Sequence, residues 1–346
     1  MTISINIYQP PSISAKLPAT EIAKAIDNNA SKDENKGVLL LTDLPKAPIS
    51  EIQAAFDSLA TRPDLTSRLN KAYPKNLVHK DSFSFGKGGP KVDMKRVLDL
   101  SPERLEAIHA NDPDLVVLQE GALAESLVYW ENLRMDVAPK IVRAVAEAVG
   151  SEDVVKDAAV NYRMVDYYER NQENMDSMVA PRCGEHRDFG TFTLIFPSHK
   201  GFQVNIDGEW MDLPPIQEGS AILLFGWCTQ IRSNGRIPAV LHRVSDVEGV
   251  SRRTSAVLFC APKLEDTPLE PVIREKEGEE RVYLSGIKAG QLRGKMARKW
   301  QKREGTLSHE SAILEEREIL ATNMFTQDDV VQRFRTCTIH ASAVAK

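Results

Sequence analysis

The sequence predicts a mainly β core with helices packed around it (α+β), a sandwich or jelly roll. Three observations carry this. The hydrophobic period changes from 3.6 to 2 near Ala158. Short strand-like segments then follow one another between turn residues. The flanking regions on both sides keep a helical period. The chain has 346 residues, a length that allows one large domain or two average ones. No linker-like stretch or internal repeat interrupts it, so a single domain over 1–346 is expected. Its parts are a mostly helical region over 1–155, a β core over 156–265 and a helical C-terminal extension over 266–346 that is a candidate lid.

The apolar run 37–42 has strand length. Ser50 and Gln53 form a capping-box pair ahead of Ile52, Ala55, Phe56 and Leu59, which share one helical face. Ser101-Pro102 opens another helix with proline at the first position, where its missing N–H does no harm. The longest helix is expected over 121–149, with Leu123, Leu127, Trp130, Leu133, Val137, Ile141 and Val145 at three- or four-residue steps. Pro139 should kink it and Gly150 should cap it. Strands are expected over 161–168, 191–196, 201–206, 209–213, 221–227, 239–244 and 254–261. Asp207-Gly208 supplies a two-residue hairpin turn. Further helices are expected over 287–303 and 308–320.

Composition excludes several classes of function. With 44 basic and 49 acidic side chains the formal net charge is −5, which argues against general nucleic-acid or anionic-membrane binding. No apolar run approaches the length of a transmembrane helix, and residues 1–17 do not read as a signal peptide. The four cysteines (Cys183, Cys228, Cys260, Cys337) include no CxxC pair. That excludes a disulfide scaffold and a cysteine-rich zinc site, and fits a reducing cytoplasmic setting. Lys288, Arg293, Lys295, Arg298, Lys299, Lys302 and Arg303 concentrate charge on one helix. With Leu292, Met296 and Trp300 turned inward, it reads as a covering helix rather than a nucleic-acid site.

Seven histidines are few enough to take singly. His79, His109, His199, His309 and His340 have no motif around them. His186-Arg187-Asp188 is an HxD pair whose two side chains point the same way in an extended segment, as ligands to one metal would. Such a pair is expected about once by chance in this composition, and His242 alone reads more readily as a hydrogen-bonded core histidine. Together, two histidines and a carboxylate make a facial triad that suits non-haem Fe(II) and leaves coordination positions open. Arg253 and Ser255 share a face of an extended segment and offer a guanidinium and a hydroxyl to a carboxylate. Taken singly, Arg253 is equally a surface arginine before a serine. Arg182 follows the rim segment 178–181 and is a candidate contact for an acidic or phenolic substrate. Phe83, Phe85 and Phe192 are candidates for an apolar wall.

The run from His186 to Leu194 resembles the first metal motif of the isopenicillin N synthase-like Fe(II)/2-oxoglutarate-dependent dioxygenases. Gly201-Phe202-Gln203-Val204, Trp210 to Pro214, His242-Arg243-Val244 and Arg253-Thr254-Ser255 follow in the family's order, and Asp166-Tyr167-Tyr168 stands where the family has N-Y-Y. The resemblance covers roughly 35–265. It implies a double-stranded β-helix (jelly roll, cupin-like), with His186, Asp188 and His242 as iron ligands and catalytic residues. It further implies Arg253, Ser255 and Tyr168 at 2-oxoglutarate, with O2 as oxidant and ascorbate as an optional reductant. The family's cephalosporin-forming members carry arginines where this strand has Met164 and Asp166, which argues against a penicillin-like substrate.

The function implied is oxidation of a small metabolite in natural-product biosynthesis. Hydroxylation is the default; desaturation, ring closure and ring expansion also occur among relatives. The alternatives are an iron oxidase without 2-oxoglutarate and a non-catalytic jelly-roll binding protein. Expected partners are a small-molecule substrate, with no nucleic acid and no membrane, in a monomer or homodimer.

Overall fold

The computed structural model describes residues 6–30, 37–72, 78–79, 95–115, 121–168 and 182–301. The first part holds β1 (Ser12–Ser14), α1 (Ala19–Ala30), β2 (Val38–Thr42), α2 (Ile49–Thr61), α3 (Pro63–Ala72), β3 (Val78–His79), β4 (Arg96–Leu100) and α4 (Pro102–Asn111). α5 (Gly121–Asn132), a π-turn at Leu133–Val137, α6 (Ala138–Val149) and α7 (Asp153–Lys156) follow. The rest is β5 (Ala158–Tyr167), β6 (Cys183–His186), β7 (Phe192–Pro197), β8 (Phe202–Ile206), β9 (Glu209–Asp212), β10 (Ala221–Phe225), α8 (Trp227–Arg232), β11 (His242–Val244), β12 (Arg253–Pro262) and α9 (Ala289–Gln301).

The strands form a large sheet in the order β1-β2-β10-β7-β12-β5-β4-β3 and a smaller one in the order β6-β11-β8-β9. They pack face to face as a jelly roll. One apolar layer lies between the sheets and includes Val165, Tyr167, Ile195, Phe202, Val204 and Val257. A second lies between the large sheet and the helices and includes Tyr162, Met164, Phe192, Leu194, Ala256 and Leu258. Strands β7 and β12 and the second half of β5 are therefore buried on both faces, which is why β7 and β12 read as nearly continuous apolar runs.

The helices answer the sequence with two differences. Ser101 accepts the Arg104 backbone N–H at 3.2 Å with Pro102 inside the first turn, and Gly150 closes α6 at φ 85°, both as expected. The capping box at Ser50 does not form. The helix starts at Ile49 with Pro48 before it, Ser50 donates to Glu51, and Gln53 donates to Thr254 Oγ1 at 3.0 Å, tying α2 to β12. The proline's restricted φ allows the chain to enter the helix before the serine can cap it. Ile52, Ala55, Phe56 and Leu59 are buried as expected. At Pro139 the helix widens into the π-turn, where the Ala138 N–H reaches back to Leu133 O. The extra residue in that turn accommodates a proline that can neither donate nor tolerate the carbonyl four residues back.

The C-terminal region packs through Leu292 and Met296 of α9, which join Phe189, Trp227, Ile231, Leu269 and Tyr283 in a third apolar cluster. The Arg293 guanidinium sits 5.0 Å from the Phe189 ring centroid. Phe83, Phe85, 178–181, 302–303, the helix expected over 308–320, His309, Cys337 and His340 lie outside the described residues, as does the extension beyond 301. No described helix is long and apolar enough to cross a membrane.

Candidate metal centre

β6 and β11 run antiparallel with His186 directly opposite His242. His186 Nδ1 lies 2.9 Å from Gly184 O and His242 Nδ1 lies 3.1 Å from Val240 O. A carbonyl only accepts, so Nδ1 carries the proton in both rings and each Nε2 presents a lone pair. Those Nε2 atoms lie 3.6 and 3.9 Å from Asp188 Oδ1. One donor atom from each of the three residues lies within 4.8 Å of the others. Phe202 stacks on His242 with centroids 5.3 Å apart, which fixes that ring's plane.

Asp188 follows β6 and is held independently. Thr193 Oγ1 donates to its Oδ2 at 2.6 Å, leaving Oδ1 turned to the histidines. Its backbone carbonyl accepts the Trp227 N–H at 2.9 Å. A Cβ at Gly226 would stand 2.3 Å from Gly190 O and 2.9 Å from Asp188 O, and one at Gly190 would stand 2.3 Å from Cys260 O. Both glycines are thus required for close backbone approach under the ligand loop. Arg187, between the two ligands, points away and donates to Ala239 O at 2.8 Å.

The cavity beside the triad lies between the sheets. Arg253, Ser255, Val257 and Phe259 of β12 face it, with Arg163, Val165 and Tyr167 of β5 and Lys95, Cys183 and Ile195 around them. Arg253 is 2% exposed. Its Nη1 donates to Ser255 Oγ at 2.8 Å and its Nε to His199 O at 3.3 Å. Its Nη2 is buried and has no hydrogen-bond partner among the described residues. Burial also pushes its pKa below the ordinary arginine value. A buried cation with an idle donor fits an anionic ligand, since a carboxylate there would restore both charge balance and hydrogen bonding. Arg163 makes a two-pronged pair with Asp99, Nε to Oδ1 at 2.5 Å and Nη2 to Oδ2 at 2.8 Å.

The structure brings His186, Asp188, His242, Arg253 and Ser255 to one cavity and moves three other expected residues out of it. Tyr167, not Tyr168, faces the cavity; β5 alternates, so the inward residues are Arg163, Val165 and Tyr167, while the Tyr168 ring lies 5.8 Å from the Arg96 guanidinium. Phe192 is fully buried on the helix side of β7, because Thr193 and Ile195 take the inner face. Arg182 is not among the residues lining the cavity: it is buried and its guanidinium is bound to Asp246 and four backbone carbonyls. Asp166 is turned away from the cavity and held between Arg96 (Nε, 3.0 Å) and Arg252 (Nε, 2.8 Å). Sequence reasoning missed Tyr167, Thr193, Lys95 and Arg163. Counting by twos along β5 from Arg163 would have found Tyr167.

The donor set fits iron: two imidazoles with Nε2 turned inward and one oriented carboxylate, all close to a point they share. The chemistry of Arg253 fits a dicarboxylic co-substrate in the same cavity.

Comparison with known proteins agrees with this geometry. Residues 159–262 match the 2OG-Fe(II) oxygenase superfamily. Gibberellin 2-beta-dioxygenase 1 of Pisum sativum is 34% identical over 102 residues, 29% of this chain and 30% of that protein. Homoarginine-6-hydroxylase 2-ODD-C23.2 of Arabidopsis thaliana is 33% identical over 165 residues, 45% of this chain and 44% of that protein. The match therefore spans less than half of either relative. The crystal structure of the dioxygenase for auxin oxidation in rice superposes with a TM-score of 0.58 at 22% identity, over 88% of this chain and 98% of that one. It shares the fold.

Proposed function

We propose that this chain, whose residues 159–262 match the 2OG-Fe(II) oxygenase superfamily, is an Fe(II)- and 2-oxoglutarate-dependent dioxygenase that oxidises a small-molecule metabolite. The observation that carries the reading is the pairing, in one cavity, of three residues that could hold a metal ion with a buried arginine whose Nη2 has no partner among the described residues. Its relatives bear the names of small-metabolite oxygenases, which supports a role in metabolite or natural-product biosynthesis. Cys183, Cys228 and Cys260 are buried, with no disulfide among the described residues.

His186, Asp188 and His242 would hold the iron; Arg253 and Ser255 would take the distal carboxylate of 2-oxoglutarate, with Tyr167 beside them. When bound, iron with 2-oxoglutarate and O2 supplies an oxidant for an unactivated C–H bond, the co-substrate leaving as succinate and CO2. The Nδ1 carbonyl contacts hold both rings with Nε2 aimed at the shared point. Thr193 keeps one carboxylate oxygen of Asp188 occupied so that the other is free to bind. Ile195, Val165, Val257 and Phe259 supply the apolar part of the cavity wall, which would limit water at the reacting bond. The test is a metabolite panel scored for substrate-stimulated succinate release, with products read by mass for one oxygen gained or two hydrogens lost. A compound that raises succinate release and gains oxygen supports the reading. Turnover of any panel member without succinate would favour the oxidase alternative.

A further inference from the structure

Arg182 is 5% exposed, yet it is fully satisfied. An arginine has five N–H donors, and here each meets an acceptor. Nε binds Asp246. Nη1 donates to Tyr167 O and Tyr168 O, both at 3.0 Å. Nη2 donates to Val250 O at 3.2 Å and Ser251 O at 3.0 Å. The first two carbonyls belong to the end of β5. The other two belong to the turn that leads into β12, whose first residue is Arg253.

Tyr167 and Arg253 are direct register partners across β5 and β12, and the Arg253 guanidinium lies 5.4 Å from the Tyr167 ring centroid. Both side chains face the cavity. Arg182 therefore ties together, through backbone alone, the two strand ends whose inward side chains make the carboxylate cradle. Its charge also acts on Arg253, so it adds to the positive potential there. Neither effect requires Arg182 to touch a ligand.

We propose that Arg182 is a positioning residue for the co-substrate: it fixes the spacing between Tyr167 and Arg253 and so sets the affinity for the dicarboxylate. The inference rests on the reading of this cavity as a 2-oxoglutarate site. A lysine keeps the charge but is a point donor on a flexible stem and cannot span four carbonyls and a carboxylate. Arg182→Lys thus separates geometry from charge. Asp246→Asn is the milder probe, since it leaves the guanidinium and its four carbonyl contacts.

The experiment measures two affinities on the full chain without oxygen: Fe(II) for the protein, and 2-oxoglutarate for the Fe(II)-loaded protein by the visible charge-transfer band of the chelate. Arg182→Lys is expected to weaken 2-oxoglutarate about tenfold and Asp246→Asn about threefold, with Fe(II) affinity within about twofold of wild type. Unchanged 2-oxoglutarate affinity in folded variants would overturn the proposal and leave a purely structural clasp. Equal loss of both affinities would also overturn it, as a general collapse of the site. Should Arg182→Lys not fold, Asp246→Asn decides alone by the same criteria. Wild-type protein that holds Fe(II) but gives no response to 2-oxoglutarate would instead remove the reading of the site, and this inference with it.

Discussion

His186 and His242 face each other across two antiparallel strands, ring centroids 4.2 Å apart and planes tilted by 51°. Each proton-bearing Nδ1 is tied to the carbonyl two residues earlier, so backbone and not solvent sets the direction of both Nε2 lone pairs. The metal geometry is in this sense a property of β6 and β11. Asp188 is the variable member, since it sits on a loop and depends on a side chain, Thr193, for its orientation.

Thr193→Val tests that dependence. It removes the 2.6 Å bond to Asp188 Oδ2 while keeping shape, and should weaken divalent-metal binding about 10–100-fold, the usual cost of losing an outer-shell partner. Titration with Co(II), followed by its visible absorption, reads this directly. Wild-type affinity in the valine variant would show that Asp188 needs no such support.

Tyr167→Phe and Tyr168→Phe separate the two faces of β5. The first should weaken 2-oxoglutarate binding by about 1 kcal/mol, a typical single hydrogen bond; the second should leave it unchanged. Calorimetric titration of the metal-loaded variants distinguishes them, and the reverse order would place the strand in the other register.

Phe192→Ala should cost about 3–5 kcal/mol of stability, the range for a fully buried aromatic truncation, without altering which metabolite is oxidised. Denaturant unfolding provides the number. A changed product profile at wild-type stability would return Phe192 to the cavity wall.

Alkaline pH should destabilise the protein through its buried thiols. Burial pushes Cys228 up to about 12 from an ordinary 9.0, and Cys260 is raised for the same reason. Between these values the unfolded chain has lost the proton and the folded chain keeps it. The stabilisation is thus full below pH 9 and lost as pH rises toward 12, by up to about 1.4 kcal/mol per pH unit for each thiol. Urea unfolding between pH 8 and about 10.5 should show the decline, and Cys228→Ala should make it shallower. A decline of the same slope in Cys228→Ala would assign it to other groups.

The metal triad was legible because two of its members are two residues apart and the third follows in a fixed order of motifs. The differences around it have several physical sources. β7 and β12 are buried on both faces, between the second sheet and the helices, so hydrophobicity does not alternate and the inner face is not marked. Phe192 and Thr193 could not be told apart on that basis. Tyr168 answers to a tyrosine of the family, whereas Tyr167 lines the cavity; one residue along a strand turns a side chain to the other face. α8 was read in part as the tail of a strand because Trp227 continues the apolar run of β10. Arg182 was beyond sequence altogether: four of its five partners are backbone carbonyls, and nothing in residue identity reports where a carbonyl points.

The central claim, that this cavity holds iron and consumes 2-oxoglutarate, is tested most directly by iron-dependent decarboxylation. Full-length protein is given Fe(II), 2-oxoglutarate and air, with and without the metabolite panel, and succinate and CO2 are counted together. The account predicts equal amounts of both from wild-type protein, raised by a substrate in the panel and abolished by Asp188→Ala. Succinate at the Asp188→Ala level across the whole panel, from wild-type protein shown to carry iron on His186, Asp188 and His242, would contradict it.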